Sequence, residues 1–477
     1  MPARTSAAPA ARDSPHAMPL DLKHLVASRF GENYTLHARH LNRTLVTVQQ
    51  TIGFDKIYAN ACGAYLFDHD GTAVLDFLSG YSVFNIGRNH PAVRRALTDA
   101  LEMDLPNMVQ MDCSLLSGLL AEALTQRLPS HLDAVFFCNS GTEAMEGAIK
   151  FARAATGRPG VLSLDGAFHG LSMGSLSLMG CEAFRDGFAP YLPGCRRIAL
   201  GDVGALEKEL SRGDVAALVI EPVQGKGVHF PADDFFLQAQ RLCRKHGTLL
   251  VCDEVQTGLG RTGRWFGFEH WGLEPDIVTL AKSLSGGYVP CGAIVARRAI
   301  YQATFRSLTR CVVHSSTFGR NNLAMACGLA TLQVLDEEGL IANAEAMGRL
   351  LLEKINALKT RHTLIKEVRG LGLIIAIEFH QPEEFGTKLG WAFLHTIEKE
   401  LFSQMIATSL LTRHRVLTQV AGHGMDAIKI LPPLMIGEKE IDLFVNALDA
   451  VLEACRSFPG PVWDLGANIV RHSLRKP

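Results

Sequence analysis

The middle of this chain is punctuated by short apolar runs that each stop at a polar residue. Val135-Phe136-Phe137 leads to Asn139-Ser140-Gly141-Thr142, and Ala216–Ile220 stops at Glu221. Leu249-Leu250-Val251-Cys252 stops at Asp253, and Ile277-Val278-Thr279-Leu280 stops just before Lys282. Val161–Leu164 and Ala293-Ile294-Val295 are further runs. Short apolar runs without alternation suit strands buried on both faces. Helical stretches over about 142–155 and 235–246 lie between them. This rhythm predicts an α/β domain with a mostly parallel sheet flanked by helices. Functional side chains in such sheets gather at the carboxyl ends of the strands.

The chain has 477 residues, more than one ordinary core accommodates. Residues 1–18, rich in Ala, Pro, Arg and Ser, are expected to be a disordered leader. Arg4 and Arg12 would suit a transit peptide, but Asp13 and the prolines oppose that reading. An N-terminal segment over 19–105 is expected to join a smaller domain. Within it, 20–50 is amphipathic and helical, Tyr65–Phe67 and Leu75–Phe77 are strands around a turn at Asp68–Gly71, and Pro91 opens a helix over 92–101. The large domain is expected over 106–345. A smaller α+β domain over 346–477 follows the start of a helix at 341–358, with a strand over 372–379 and helices over 391–405 and 438–457.

Net charge is −1, so no whole-molecule field draws in nucleic acid. No apolar run is long enough for a membrane span. The 11 cysteines include no CxxC and no zinc-like spacing with histidine, which points to reduced thiols in the cytoplasm and to no metal.

The polar strand ends carry the candidate chemistry. Ser140-Gly141-Thr142 fits a phosphate cradle, because a helix start offers free N–H groups and a favourable dipole. Taken alone it is equally an N-cap. Asp253 is either a solvated loop acid or a carboxylate that must meet a cation, such as a pyridinium nitrogen. Lys282 is either a snorkelling lysine or an amine made nucleophilic by losing its charge.

Together these residues resemble the class III aminotransferases of the pyridoxal 5'-phosphate (PLP) fold type I. The resemblance runs from about residue 33 to 453. It rests on Asn139–Ala144, Phe168-His169-Gly170, Glu221-Pro222-Val223-Gln224-Gly225, Asp253–Gly258 with Gly260-Arg261-Thr262-Gly263, Ala281-Lys282 and Ser316-Thr317-Phe318-Gly319, in matching order and spacing. It implies a seven-stranded large domain and a small domain built from both termini. It assigns Lys282 as the Schiff-base lysine and Asp253 as partner of the pyridine nitrogen. Ser140, Gly141 and Thr142 become the phosphate cup. Phe168 and Val255 flank the ring, with His169 beside Phe168 in support, and Gln256 reaches the phenolic oxygen. Thr317 serves the neighbouring subunit's phosphate, which implies a homodimer. Two half-reactions at one site, with Lys282 as general base, imply ping-pong kinetics.

Substrate residues depart from the pattern. Tyr81 matches the substrate-facing tyrosine of ornithine aminotransferase-like members. The arginine that follows their aromatic-X-Gly motif is Leu171 here. The arginine before Pro-Pro-Leu, which pairs with the gating glutamate, is Lys429 here, and Glu221 is that glutamate. Lysine can pair with Glu221 but lacks the bidentate fork. The expectation is therefore glutamate as donor, by resemblance, and an acceptor aldehyde or ketone without an α-carboxylate: a polyamine, a polyol or a lipid-derived carbonyl. Gln419–His423 and the tail after Phe458 resemble bacterial secondary-metabolite members, including a hopanoid side-chain aminotransferase. Arg88 stands where relatives often have histidine and receives no role.

Three rival readings remain open at this stage. One is a PLP aminomutase, racemase or decarboxylase of the same fold. Another is a non-catalytic binding relative, which would be expected to have lost Lys282 or Asp253. The third is a dinucleotide-binding enzyme. Gly258-Leu259-Gly260-Arg261-Thr262-Gly263 fits GxGxxG, but it leads into an aromatic loop rather than a helix.

Overall fold

The computed structural model describes residues 20–109, 111–231, 234–381, 391 and 401–455. The expected leader and the tail after Phe458 lie outside them. Strands are numbered along the chain: β1 Asn60–Cys62, β2 Tyr65–Phe67, β3 Ala73–Asp76, β4 Ala134–Cys138, β5 Gly160–Leu164, β6 Cys195–Ile198, β7 Val215–Ile220, β8 Leu249–Asp253, β9 Ile277–Leu280, β10 Gly292–Ala296, β11 Ile365–Leu371, β12 Ile374–Phe379, β13 Val416–Leu417, β14 Gln419–Val420 and β15 Ala427–Ile430.

A seven-stranded sheet in the order β4-β10-β9-β8-β7-β5-β6 organises the molecule. Its pairs are parallel except where β10 runs antiparallel to both β4 and β9. The connection over 281–291 leaves no room for a crossover helix, so the chain returns antiparallel. The central strands β7 and β9 are buried at every position, as their unbroken apolar runs require. The fold is thus the α/β architecture expected.

Edge strand β6 escaped the sequence reading. Its Arg196 and Arg197 break the apolar pattern and pair with Glu209, Asp214 and Glu182 at the sheet's rim. The strand expected over 372–379 is half of a hairpin. Gly372 is its turn, at φ 53°, where a Cβ would lie 2.4 Å from the Thr262 carbonyl carbon. Residues 20–50 form three helices, Leu22–Ser28, Asn33–His40 and Arg43–Thr51, in which Val46 alone is buried. Of the helix expected over 391–405, the described part is Leu401–His414.

There are two smaller sheets, and the first joins the chain's beginning to its end. One has the order β1-β2-β3-β13, with β13 parallel to β3 through Val416↔Leu75 and Leu417↔Asp76. The other has the order β11-β12-β15-β14. The Phe77 ring stacks 4.9 Å from the Phe444 ring of helix Glu438–Ala454, and both side chains are fully buried. Among the described residues, no helix is long and apolar enough to cross a membrane. Truncating a buried aromatic removes transfer energy and leaves a cavity, so Phe444→Ala should cost about 3–5 kcal/mol in denaturant unfolding.

Candidate active site

A cavity of about 530 Å³ opens at the carboxyl ends of the sheet, lined at its floor by Asp253, Lys282 and Ser140. Gly141, Thr142, Phe168, His169, Glu221, Val255 and Gln256 also line it. Residues drawn from distant parts of the sequence thus meet at one place.

Asp253 ends β8 and is 5% exposed. Its Oδ2 lies 2.8 Å from His169 Nδ1, and its Oδ1 accepts from the Val255 N–H at 3.1 Å and the Thr279 hydroxyl at 3.2 Å. Burial alone would push the His169 pKa down, but the hydrogen bond and charge of Asp253, with help from Glu221, raise it. The hydrogen bond ties the imidazole to the acid, while His169 Nε2 is buried without a partner. The sequence reading placed His169 only beside Phe168. The two residues stand 84 positions apart, and no local signal joins them.

Lys282 follows β9 with φ 44°, which turns it out of the strand direction. Burial lowers its amine pKa, against the pull of Asp253 and Glu221, and the charge of Lys226 lowers it further. Its Nζ has no hydrogen-bond partner among the described residues. An amine with its charge suppressed is a nucleophile and a base.

The cup sits at the start of helix Gly141–Thr156. Ser140 Oγ caps it by accepting from Glu143 N at 3.3 Å. Thr142 Oγ1 is drawn to the Ser172 and Ser175 hydroxyls at 2.6 and 2.7 Å. The N–H groups of Gly141 and Thr142 have no intrahelical acceptor and remain available to an anion. A Cβ on Gly141 would come within 2.8 Å of Val255 Cγ1, so only glycine keeps this floor open.

Gln256 Nε2 donates to the Tyr81 carbonyl at 3.2 Å, while its buried Oε1 has no partner. Phe168 packs edge-on to Phe184 at 5.5 Å, and Lys226 Nζ lies 5.3 Å from its ring centroid. Glu221 accepts the N–H groups of Phe168 and Gly225, both at 2.9 Å, and burial raises its pKa.

Lys429, on β15, makes no ion pair with Glu221. It donates instead to the Gly225 carbonyl at 2.5 Å, and Gly225 stands between them, its N–H on Glu221 and its carbonyl on Lys429. The Gly225 peptide thus bridges the two side chains in place of the direct pairing that the sequence allowed. Tyr81 stands at the cavity's edge, its carbonyl on the cavity-lining Gln256, its ring 5.6 Å from Lys429 Nζ and its hydroxyl bonded to Gln419. Thr317 is exposed and does not face this chain's own cavity. Its neighbour Ser316 accepts from Asn139 Nδ2 at 2.7 Å. Leu171 and Met173 are half-exposed beside Phe168 in sequence.

A family model for class-III aminotransferases matches residues 48–452. This chain belongs to the class-III aminotransferases. It is 37% identical over 436 residues to the aminotransferase PigE of Serratia sp., covering 85% of this chain and 51% of that protein. The chain therefore spans about half the length of that relative. It is 39% identical over 387 residues to a putrescine aminotransferase of Pectobacterium atrosepticum, covering 79% of this chain and 77% of the relative. A PLP-bound amine transaminase from an uncultivated Pseudomonas species superposes with TM-score 0.75 at 31% identity, over 84% of this chain and 96% of that one.

The enzyme is a transaminase, and its cofactor is PLP. The residues present fit that group. An unbonded amine, a buried acid held by histidine, a helix start kept open by Gly141 and an unpartnered amide oxygen on Gln256 face one cavity.

Burial, reinforced by the charges of Lys226 and Lys282, pushes the Lys429 pKa down to about 7 from 10.5. Its proton binds more readily in the unfolded chain, so this contribution to stability rises with pH from about 7 towards 10.5. The difference in urea midpoint between wild type and Lys429→Met should grow in favour of wild type across that window.

Proposed function

We propose that this transaminase takes an amino group from glutamate and delivers it to an aldehyde or ketone without an α-carboxylate, of polyamine, polyol or lipid origin. The observation that carries this reading is the absence of arginine among the described residues lining the cavity, with Lys429 already committed to the Gly225 carbonyl. A carboxylate would find no bidentate partner there. The half-exposed Leu171 and Met173 and the cavity-lining Val83, Val223 and Pro290 suit an apolar chain. Glutamate as donor rests on the family, and a hopanoid-type acceptor is one lipid case within the class.

In this reading Lys282 holds the cofactor and later moves a proton at the substrate carbon, a task suited to an amine whose pKa burial lowers. Asp253, kept in place by His169, faces the ring nitrogen. The N–H groups at Gly141 and Thr142 hold the phosphate, and Phe168 and Val255 close on the two ring faces. Gln256, on the cavity wall, reaches the ring's phenolic oxygen with its amide group. PLP supplies an electron-withdrawing ring that carries nitrogen from one substrate to the next.

A homodimer in a cytoplasmic setting completes the proposal. Besides the N-terminal helices, exposed apolar residues occur in two touching segments, with Leu101, Met111 and Leu115 in one and Leu308 and Phe318 in the other. Arg320 Nη1 donates to the Asp112 carbonyl at 3.1 Å between them. Burying such a patch against a second copy would place Thr317 at the neighbour's site. All 11 cysteines are free thiols.

Two experiments test the reaction. Borohydride should bleach the colour of the holoenzyme and leave the cofactor fixed on the peptide bearing Lys282, and Lys282→Ala should lose at least about a thousandfold in turnover; normal turnover in that variant would end the mechanism. Lys429→Arg should raise kcat/KM for glutamate by roughly tenfold through a restored fork. Unchanged glutamate kinetics would remove position 429 from carboxylate recognition.

A further inference from the structure

Four consecutive residues lie in the left-handed region: Ser79 (φ 43°), Gly80 (φ 61°), Tyr81 (φ 62°) and Ser82 (φ 72°). Three of them carry a Cβ and are disfavoured there. Such backbone persists only where its surroundings over-determine it.

The restraints are visible. Asp76 is fully buried, and its Oδ1 accepts the N–H groups of Leu78 at 3.0 Å and Ser79 at 2.8 Å, pinning the first peptides of the turn. Ser79 Oγ donates to the Leu431 carbonyl at 2.6 Å and receives Arg261 Nη2 at 3.3 Å. The turn's far side is held by Gln256, which donates to the Tyr81 carbonyl. One restraint is a charge. Arg88 Nε donates to Asp76 Oδ2 at 2.7 Å, and among the described residues no other cation pairs directly with that carboxylate. Arg261, also buried, feels the Asp76 charge at longer range but spends its bonds on neutral acceptors: Leu373, Pro432, Ser79 and Asn85. The Arg88 guanidinium lies 4.0 Å over the Phe84 ring. Phe84 in turn occupies the space a Cβ would take on Gly80 and on the cavity-lining Gly287.

We propose that Arg88 is a positioning residue for the substrate. It supplies the counter-charge that lets Asp76 sit buried and clamp the turn, and the clamp sets Tyr81 beside Lys429 and Gln419 with its carbonyl on Gln256. A buried carboxylate stripped of its cation is costly and seeks water or a new partner, so losing Arg88 releases the clamp before it disturbs the core. The inference rests on the reading that Tyr81 meets the substrate.

The test uses the PLP-loaded enzyme. In hydrogen–deuterium exchange, Arg88→Met should speed exchange over residues 77–85 by about fivefold or more and leave the β7 core unchanged. With L-glutamate as amino donor and butanal as carbonyl acceptor, its apparent KM for the aldehyde should rise about tenfold with kcat within about twofold. Arg88→Lys should recover most of that loss. Asp76→Asn/Arg88→Met, which removes both charges yet keeps an acceptor for Leu78 and Ser79, should recover it too and covers the case in which the single variant fails to fold. In a Tyr81→Ala background the Arg88→Met effect should vanish. Unchanged exchange over 77–85, acceleration spread over the whole chain, or a KM effect that survives in Tyr81→Ala would each overturn the proposal. Tyr81→Ala alone reads the other premise: unaltered kinetics in that variant would take Tyr81 away from the substrate, whatever Arg88 does.

Discussion

The pairing of Asp253 with His169 is the interaction on which the rest of the site depends. A carboxylate at 5% exposure needs partners, and Asp253 has three, from the imidazole, a backbone N–H and the Thr279 hydroxyl. Two of these come from the sheet and its own turn. Asp253 pairs in register with Thr279 on β9, and Lys282 follows three residues later. Strand register therefore sets the spacing between the buried acid and the buried amine. The third partner arrives from the loop after β5, which also carries Phe168. One hydrogen bond thus ties the acid at the cavity floor to the aromatic wall above it.

Around that fixed floor the substrate side is assembled from different parts of the chain. Glu221 ends β7, Lys429 lies on β15, and Tyr81 sits in the left-handed turn after β3. Gly225 and Gln256 are the joints: the peptide of Gly225 bridges Glu221 and Lys429, and the amide of Gln256 reaches from the cavity to the Tyr81 carbonyl. In a lysine-for-arginine change, the loss of the planar fork matters more than the retained charge. Here the lysine is buried and shifted towards neutrality, and it satisfies a carbonyl instead of a carboxylate. That is a different electrostatic surface from one built on two arginines, and it is the basis of the proposed preference for carbonyl acceptors without an α-carboxylate.

The left-handed turn shows how such a surface is maintained. Non-glycine residues held at positive φ cost about 1–2 kcal/mol each. The buried network of Asp76, Arg88, Arg261, Asn85 and Ser79 offsets that cost with hydrogen bonds drawn from both ends of the chain and from the large sheet. The same cluster, through Arg261, fastens the N-terminal segment to the Leu373 and Pro432 carbonyls. Fold integrity and substrate geometry therefore share one polar cluster.

The sequence by itself determined the large sheet and which polar residues stand at its strand ends. Unbroken apolar runs can be satisfied only by burial on both faces, and each announces where its strand stops, so the positions of Glu221, Asp253 and Lys282 were legible from local pattern, while their roles came only with the family resemblance. Helix Phe235–His246 and strand β9 were read to the residue for the same reason. Strands whose sequence is polar or interrupted were not legible: β6 carries two arginines, and β11 reads Ile-Lys-Glu-Val-Arg-Gly-Leu. Only the tertiary structure decided that His169 meets Asp253, that Lys429 turns to Gly225 rather than Glu221, and that Arg88 neutralises Asp76. Those are contacts between groups far apart in sequence or governed by backbone geometry. Hydrogen-bond partners are chosen by distances of a few tenths of an ångström, which no periodicity in the chain encodes.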